Sequence, residues 1–232
     1  MLADMAAAAV TGPGGPAAVR AVVIVIHGGQ SVSLRPTSPV QLAVLRMIPV
    51  SRAIRHVLGP SGVAVIRPRL RLRGWNGAQA SPVGDVAELL EAVPGRFGPV
   101  PVVLVGHSLG ARAALRAAGH PSVIAAVGLA PWLPAGEPTA QLAGRRLLLV
   151  HGTADTTTSP TMTWQYARDA SDFAAVGAVA VDGGDHAMLR RAPLWHRLAA
   201  EFTSLALGVP AGDRALRQVV DAAQPGGAPV TL

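Results

Sequence analysis

The stretch that decides the fold is Pro101-Val102-Val103-Leu104-Val105-Gly106-His107-Ser108-Leu109-Gly110, followed by the alanine-rich run Ala111 to Ala118. Pro101 to Val105 is a short β-branched run that reads as a buried strand, and Leu109 to Ala118 reads as a helix stopped by Gly119 and Pro121. Between them lies Gly-x-Ser-x-Gly. A serine on so sharp a strand-to-helix turn needs small residues two positions away on either side, because strand and helix approach closely there. The turn exposes the hydroxyl, and the helix N-terminus favours negative charge developing beside it.

Working outward, the same alternation repeats. Strands are expected at Val19 to Ile26, Gly62 to Arg67, Val123 to Leu129, Leu147 to Val150 and Val176 to Val181. Helices are expected at Val40 to Leu58, Pro82 to Val93 (with Ser81 as N-cap), Pro160 to Asp169 and Pro193 to Leu207. Continuous apolar strands alternating with helices predict an α/β three-layer sandwich. Its sheet is mostly parallel, has about six strands, and is covered by helices on both faces. Residues 19–208 form the globular domain, 1–18 a flexible leader, and 209–232 a tail. The tail is expected to be partly disordered, with a short helix around Arg214 to Ala223.

Composition narrows the class. The chain has 232 residues, half of them hydrophobic but only 3% aromatic, so Val, Leu, Ile and Ala must fill one core. No apolar run reaches the length of a spanning helix. Met1 to Val10 is apolar, but Asp4 stands where an export signal would be basic, so a cytoplasmic location is expected. There is no cysteine. The net charge is +7, and every one of the 20 basic residues is arginine. These arginines are scattered without interleaved aromatics, which argues against nucleic-acid and membrane partners. Oligomeric state is left open.

In a parallel sheet, chemistry collects beyond the carboxyl ends of the strands. A serine needs a base to become a nucleophile, and His186 follows the sixth strand in Asp182-Gly183-Gly184-Asp185-His186. Asp155 follows the fifth strand in His151-Gly152-Thr153-Ala154-Asp155, where a carboxylate can orient the imidazole; its plainer reading is a turn with Thr156 and Thr157. Asp182 is a substitute acid, Asp185 adjoins the base too closely to serve, and His107 reads as structural. His56, His120 and His196 sit in helices or at their ends. The first strand ends in His27-Gly28-Gly29-Gln30, so the amide of Leu109, joined by that of Gly29 or Gln30, is a candidate oxyanion hole.

Together these four segments resemble the α/β-hydrolase superfamily over about residues 19 to 207. The resemblance implies Ser108 as nucleophile, Asp155 as acid, His186 as base, and neither metal nor organic cofactor. A serine hydrolase cleaving an ester or similar acyl bond of a small molecule is the expected activity. A thioesterase or acyltransferase with the same three residues, or a non-catalytic binding protein on the same fold, is the alternative. In Arg71-Leu72-Arg73-Gly74-Trp75-Asn76, Arg71 replaces the acid that many members carry in this loop, and Asn76 replaces a usual glycine. The arginines from Arg67 to Arg73 either form a cationic rim or, the preferred reading, are pinned to carbonyls and carboxylates. Only Pro131 to Gly144 is available for a cap, so an open site is expected, with Trp132 and Trp75 as candidate substrate contacts.

Overall fold

The structure, a computed structural model, describes residues 19–58, 61–209 and 229–232. The expected leader and the expected helix at 214–223 lie outside the described residues. Seven strands form one sheet: β1 (Ala21–Ile26), β2 (Val63–Ile66), β3 (Val102–His107), β4 (Val123–Leu129), β5 (Arg146–Gly152), β6 (Ala175–Val181) and β7 (Val230–Thr231). Their order is β2-β1-β3-β4-β5-β6-β7, and every pairing is parallel. The seventh strand exceeds the expected six. Its two residues pair with Val179 and Ala180 at the sheet edge, a long-range contact for which so short a segment carries no periodic signal.

Alternate residues of the strands feed two cores. Val22, Ile24 and Ile26 pack with Leu89, Leu90, Ala113, Ala114 and Ala170, which come from α2 (Ser81–Phe97), α3 (Leu109–Ala117) and α4 (Pro160–Ala170). Val23 and Val25 pack on the other face with Val50, Ile54, Trp195 and Leu198, from α1 (Met47–Leu58) and α5 (Ala192–Ala206). The result is the three-layer sandwich, with few aromatics because parallel strands buried on both faces favour aliphatic side chains. Among the described residues, no helix is long and apolar enough to cross a membrane.

Several boundaries differ from expectation for local reasons. The helix expected from Val40 splits into a single turn at Leu42–Leu45 and α1, with the break at Arg46. Pro49 lacks the N–H that a continuous helix would need there, and proline is tolerated only in the first turn of the restarted helix. Ser81 is the first residue of α2 rather than its cap; Ala80 precedes it in a left-handed conformation, and the Ser81 hydroxyl accepts from Asn76 Nδ2 at 3.2 Å. The same helix passes Pro94 and ends at Phe97, where Gly98 turns with φ of 80°.

The chain leaves β1 for β2 on one side and returns to β3 on the other. The crevice between β1 and β3 is thus the point where strand order reverses, and Ser108 lies just beyond β3 there. On the opposite face, Trp195 is fully buried under the loop that carries His186, and its indole donates to the Arg190 carbonyl at 3.2 Å. Trp195→Ala removes that floor. Urea denaturation is expected to show a loss of about 3–5 kcal/mol, the range for deleting a fully buried aromatic.

Candidate active site

Ser108 sits at φ 54° and ψ −119°, a region that residues with a Cβ adopt only under constraint. The constraint is visible. Its N–H donates to the Leu129 carbonyl at 3.0 Å, while its carbonyl accepts from the amides of Ala111 (3.1 Å), Arg112 (3.2 Å) and Trp132 (3.2 Å). A Cβ at Gly106 would meet the Gly110 carbonyl oxygen, and one at Gly110 would meet that of His27, both far inside contact distance. The two glycines of the motif are therefore a packing requirement of the turn.

From Ser108 a hydrogen-bonded chain runs across the carboxyl ends of β3, β6 and β5. His186 Nε2 lies 3.1 Å from Ser108 Oγ, and His186 Nδ1 lies 2.8 Å from Asp155 Oδ2. Asp155 Oδ1 also accepts from the amides of Thr157 (2.7 Å) and Thr158 (2.9 Å), so the turn and the contact with His186 coexist in one residue. The two competing acids are engaged elsewhere. Asp185 Oδ1 caps the amides of Leu189 and Arg190, each at 2.9 Å, and Asp182 accepts from Thr153 Oγ1 at 3.3 Å.

Three further residues hold this chain. Thr158 Oγ1 donates to Asp155 Oδ2 at 2.9 Å and lies 3.1 Å from His186 Nδ1. His151, wholly buried, has Nε2 at 3.0 Å from Asp155 Oδ2 and Nδ1 at 2.7 Å from Thr163 Oγ1. The Thr163 hydroxyl supplies the proton to Nδ1, which leaves the His151 N–H on Nε2, aimed at the carboxylate. His107, expected to be structural, holds the loop of His186: its Nε2 donates to the His186 carbonyl at 2.8 Å, and the rings are 4.9 Å apart. The i, i+4 spacing of His151 and Asp155 was a usable signal for one of these; the threonine contacts carried none.

Burial opposes ionisation of Asp155, but the Thr158 amide, the His186 imidazole and the Thr157 amide outweigh it and hold the pKa at about 2. Burial drives His107 the other way, to about 3, reinforced by the neighbouring His186. Burial likewise takes His151 to about 4 against the pull of Asp155. At neutral pH the buried Asp155 carboxylate is thus ionised, while His151 and His107 are neutral.

At the end of β1, the His27 ring accepts from the Leu70 amide at Nε2 (3.1 Å) and donates from Nδ1 to the Gly28 carbonyl (2.7 Å), tying the β1 and β2 loops together. The Gln30 amide donates to the Arg73 carbonyl at 2.8 Å, which removes it as an oxyanion donor. The amides of Gly29 and Leu109 bond to no acceptor among the described residues.

Trp75 is buried and does not face a substrate, contrary to expectation. The Arg112 guanidinium lies between it and the half-buried Trp132, 3.9 Å and 4.7 Å from the two ring centres, and is fixed by Glu137 at 2.7 Å. Two of the four loop arginines are pinned, Arg71 to Asp85 and Glu88 and Arg73 to the Pro36 carbonyl at 2.9 Å, whereas Arg67 Nε is buried without a hydrogen-bond partner and Arg69 forms no ion pair among the described residues. The segment Pro131 to Gly144 holds one short 3-10 turn, Ala140–Leu142, and no helical cap.

These depressed histidine values have a consequence for stability. The unfolded chain protonates its histidines near 6.5, while folded His107 and His151 refuse protons until about 3 and about 4. Their contribution is complete above about pH 6.5 and is lost as pH falls below it. The urea midpoint is expected to decline steadily between pH 6.5 and pH 4; a flat midpoint across that window contradicts the buried-neutral assignment.

Solved structures share this fold at low identity. Est1E from Butyrivibrio proteoclasticus, with ferulic acid bound, aligns at a TM-score of 0.62 and 15% identity, over 87% of this chain and 95% of its own. A serine hydrolase without lid from Xanthomonas campestris aligns at 0.60 and 23%, over 89% and 90%. Esterase 2 of Thermogutta terrifontis, phosphoramylated by tabun, aligns at 0.61 and 17%, over 90% and 98%. No curated protein matches the chain in sequence. Residues 16–232 match the alpha/beta hydrolase family, and the chain belongs to that family.

Proposed function

We propose that this hydrolase cleaves carboxylic esters, or thioesters of the same form, through an acyl-enzyme on Ser108. The observation that carries the reading is the unbroken chain from Ser108 Oγ through His186 to Asp155, at 3.1 Å and 2.8 Å. His186 Nε2 takes the serine proton as Oγ attacks the acyl carbon. The resulting imidazolium is stabilised by a carboxylate that stays ionised, with a pKa of about 2. The tetrahedral oxyanion is received by the amides of Leu109 and Gly29, which bond to nothing within the described fold.

The leaving alcohol or thiol then collects the proton from His186. Water then enters and gives a proton to the same nitrogen as its oxygen bonds the acyl carbon; the Oγ–acyl bond breaks, Oγ takes that proton back, and the acid is released. The carboxylate does more than attract the imidazole. It fixes the tautomer with its N–H on Nδ1, so that Nε2 presents a lone pair to the serine. The esterases and the serine hydrolase among the structural neighbours support this reading, as does the thin cover over the site, which suits a small or extended acyl group reached from solvent.

Hydrolysis of p-nitrophenyl esters of increasing chain length tests it. Ser108→Ala is expected to lower kcat/KM by about 10³- to 10⁶-fold, and Asp155→Asn by about 10⁴-fold, with folding retained by circular dichroism. A Ser108→Ala variant within tenfold or so of wild type would falsify the assignment.

A further inference from the structure

Seven large hydrophobic side chains are exposed among the described residues, and six of them gather on one end of the molecule. Val32, Leu34, Val40, Leu42 and Leu189 are between 71% and 75% exposed, and Leu45 is 40% exposed. All lie in the connections that follow β1 and β6, at the carboxyl ends of the strands, the end of the sheet at which Ser108 also stands. The segment from Gln30 to Pro36 leaves β1 and is bridged to the loop after β2 through Gly74 and Leu72. It then turns back through Leu42–Leu45 to α1, which packs against α5. Arg46, which ends that turn, lies within electrostatic reach of Asp185, the residue before His186, so the turn at Leu42–Leu45 stands near the loop of His186.

Charge follows the same surface. Between Asp4 and Asp85 the chain holds nine arginines and no acidic residue. Arg35, Arg46 and Arg69 lie in the loops that follow β1 and β2, and Arg190 adjoins Leu189. None of these four guanidiniums forms an ion pair among the described residues, although Arg46 lies in the field of Asp185. Arginines that look scattered along the sequence are thus collected by the fold around an aliphatic rim.

We propose that this rim docks the enzyme on an anionic lipid surface and so presents Ser108 to acyl esters held there. The proposal rests on the hydrolase reading above. Aliphatic side chains on loops, flanked by arginines, combine the two terms of interfacial binding: buried apolar area and attraction to anionic headgroups. A second copy of the chain fits poorly, because a two-fold contact would set like charges against one another. A protein partner fits less well too, since the rim has none of the aromatic anchors that mark such interfaces.

Sedimentation of the full chain with vesicles is the test. It compares equal parts phosphatidylglycerol and phosphatidylcholine with phosphatidylcholine alone. Wild type is expected to partition about tenfold or more in favour of the anionic vesicles, an advantage that high salt removes. Leu42→Ser/Leu189→Ser is expected to weaken that binding about tenfold, while hydrolysis of water-soluble p-nitrophenyl acetate stays unchanged. Absent binding, binding unchanged in the variant, or a dimer that the same substitutions dissociate would each overturn the proposal. Acetate ester hydrolysis separates the two readings: its persistence without vesicle binding defeats docking alone, and its absence in wild type defeats the hydrolase assignment.

Discussion

Everything about this site depends on one backbone turn, in which β3 ends at His107 and α3 begins at Leu109 with only Ser108 between them. A conformation at φ 54° costs on the order of 1–3 kcal/mol in isolation, so the surroundings must impose it. They do so through four backbone hydrogen bonds to Ser108 and through the close approach of α3 to β3 and β1, which leaves no room for a Cβ at Gly106 or Gly110 respectively. The same closeness puts the Leu109 amide beside the loop of Gly29. The proposed nucleophile and oxyanion donors are consequently set by sheet packing rather than by flexible side chains, and such placement would be retained without reorganisation during a reaction.

The second constraint is electrostatic. A carboxylate buried at Asp155 would be penalised heavily if it stood alone, yet it receives hydrogen bonds from Thr157, Thr158, His186 and His151. Two of these donors are backbone amides of its own turn and cannot leave without unfolding it. His151 and His107 are kept neutral by burial, so they brace Asp155 and the loop of His186 without adding a competing cation. With Nδ1 of His186 engaged by Asp155, Nε2 is the nitrogen left facing Ser108.

Much of this was legible along the chain. Strand residues with continuous apolar runs announced the parallel sheet, and Ser108, Asp155 and His186 each follow a strand end, where such sheets place chemistry. The steric demand of the turn was readable from Gly106 and Gly110 alone. What escaped depended on long-range packing. Val230–Thr231 joins the sheet with no sequence period to announce it. Trp75 sits in a loop beside the site but is buried against Arg112, so proximity in sequence did not translate into exposure. Thr158 and Thr163 are ordinary loop and helix residues until the fold sets their hydroxyls on His186, Asp155 and His151. The apolar rim was hidden for the same reason, since Leu42 and Leu189 are far apart in the chain.

The central claim is that Ser108 is an activated nucleophile, and covalent labelling tests it most directly. The purified protein would be treated with a fluorophosphonate and the modified residue located by peptide mass spectrometry. One adduct per chain, on Ser108 and absent from a His186→Ala variant, is the predicted result. An unlabelled folded protein, or a label carried by another residue, would contradict the account.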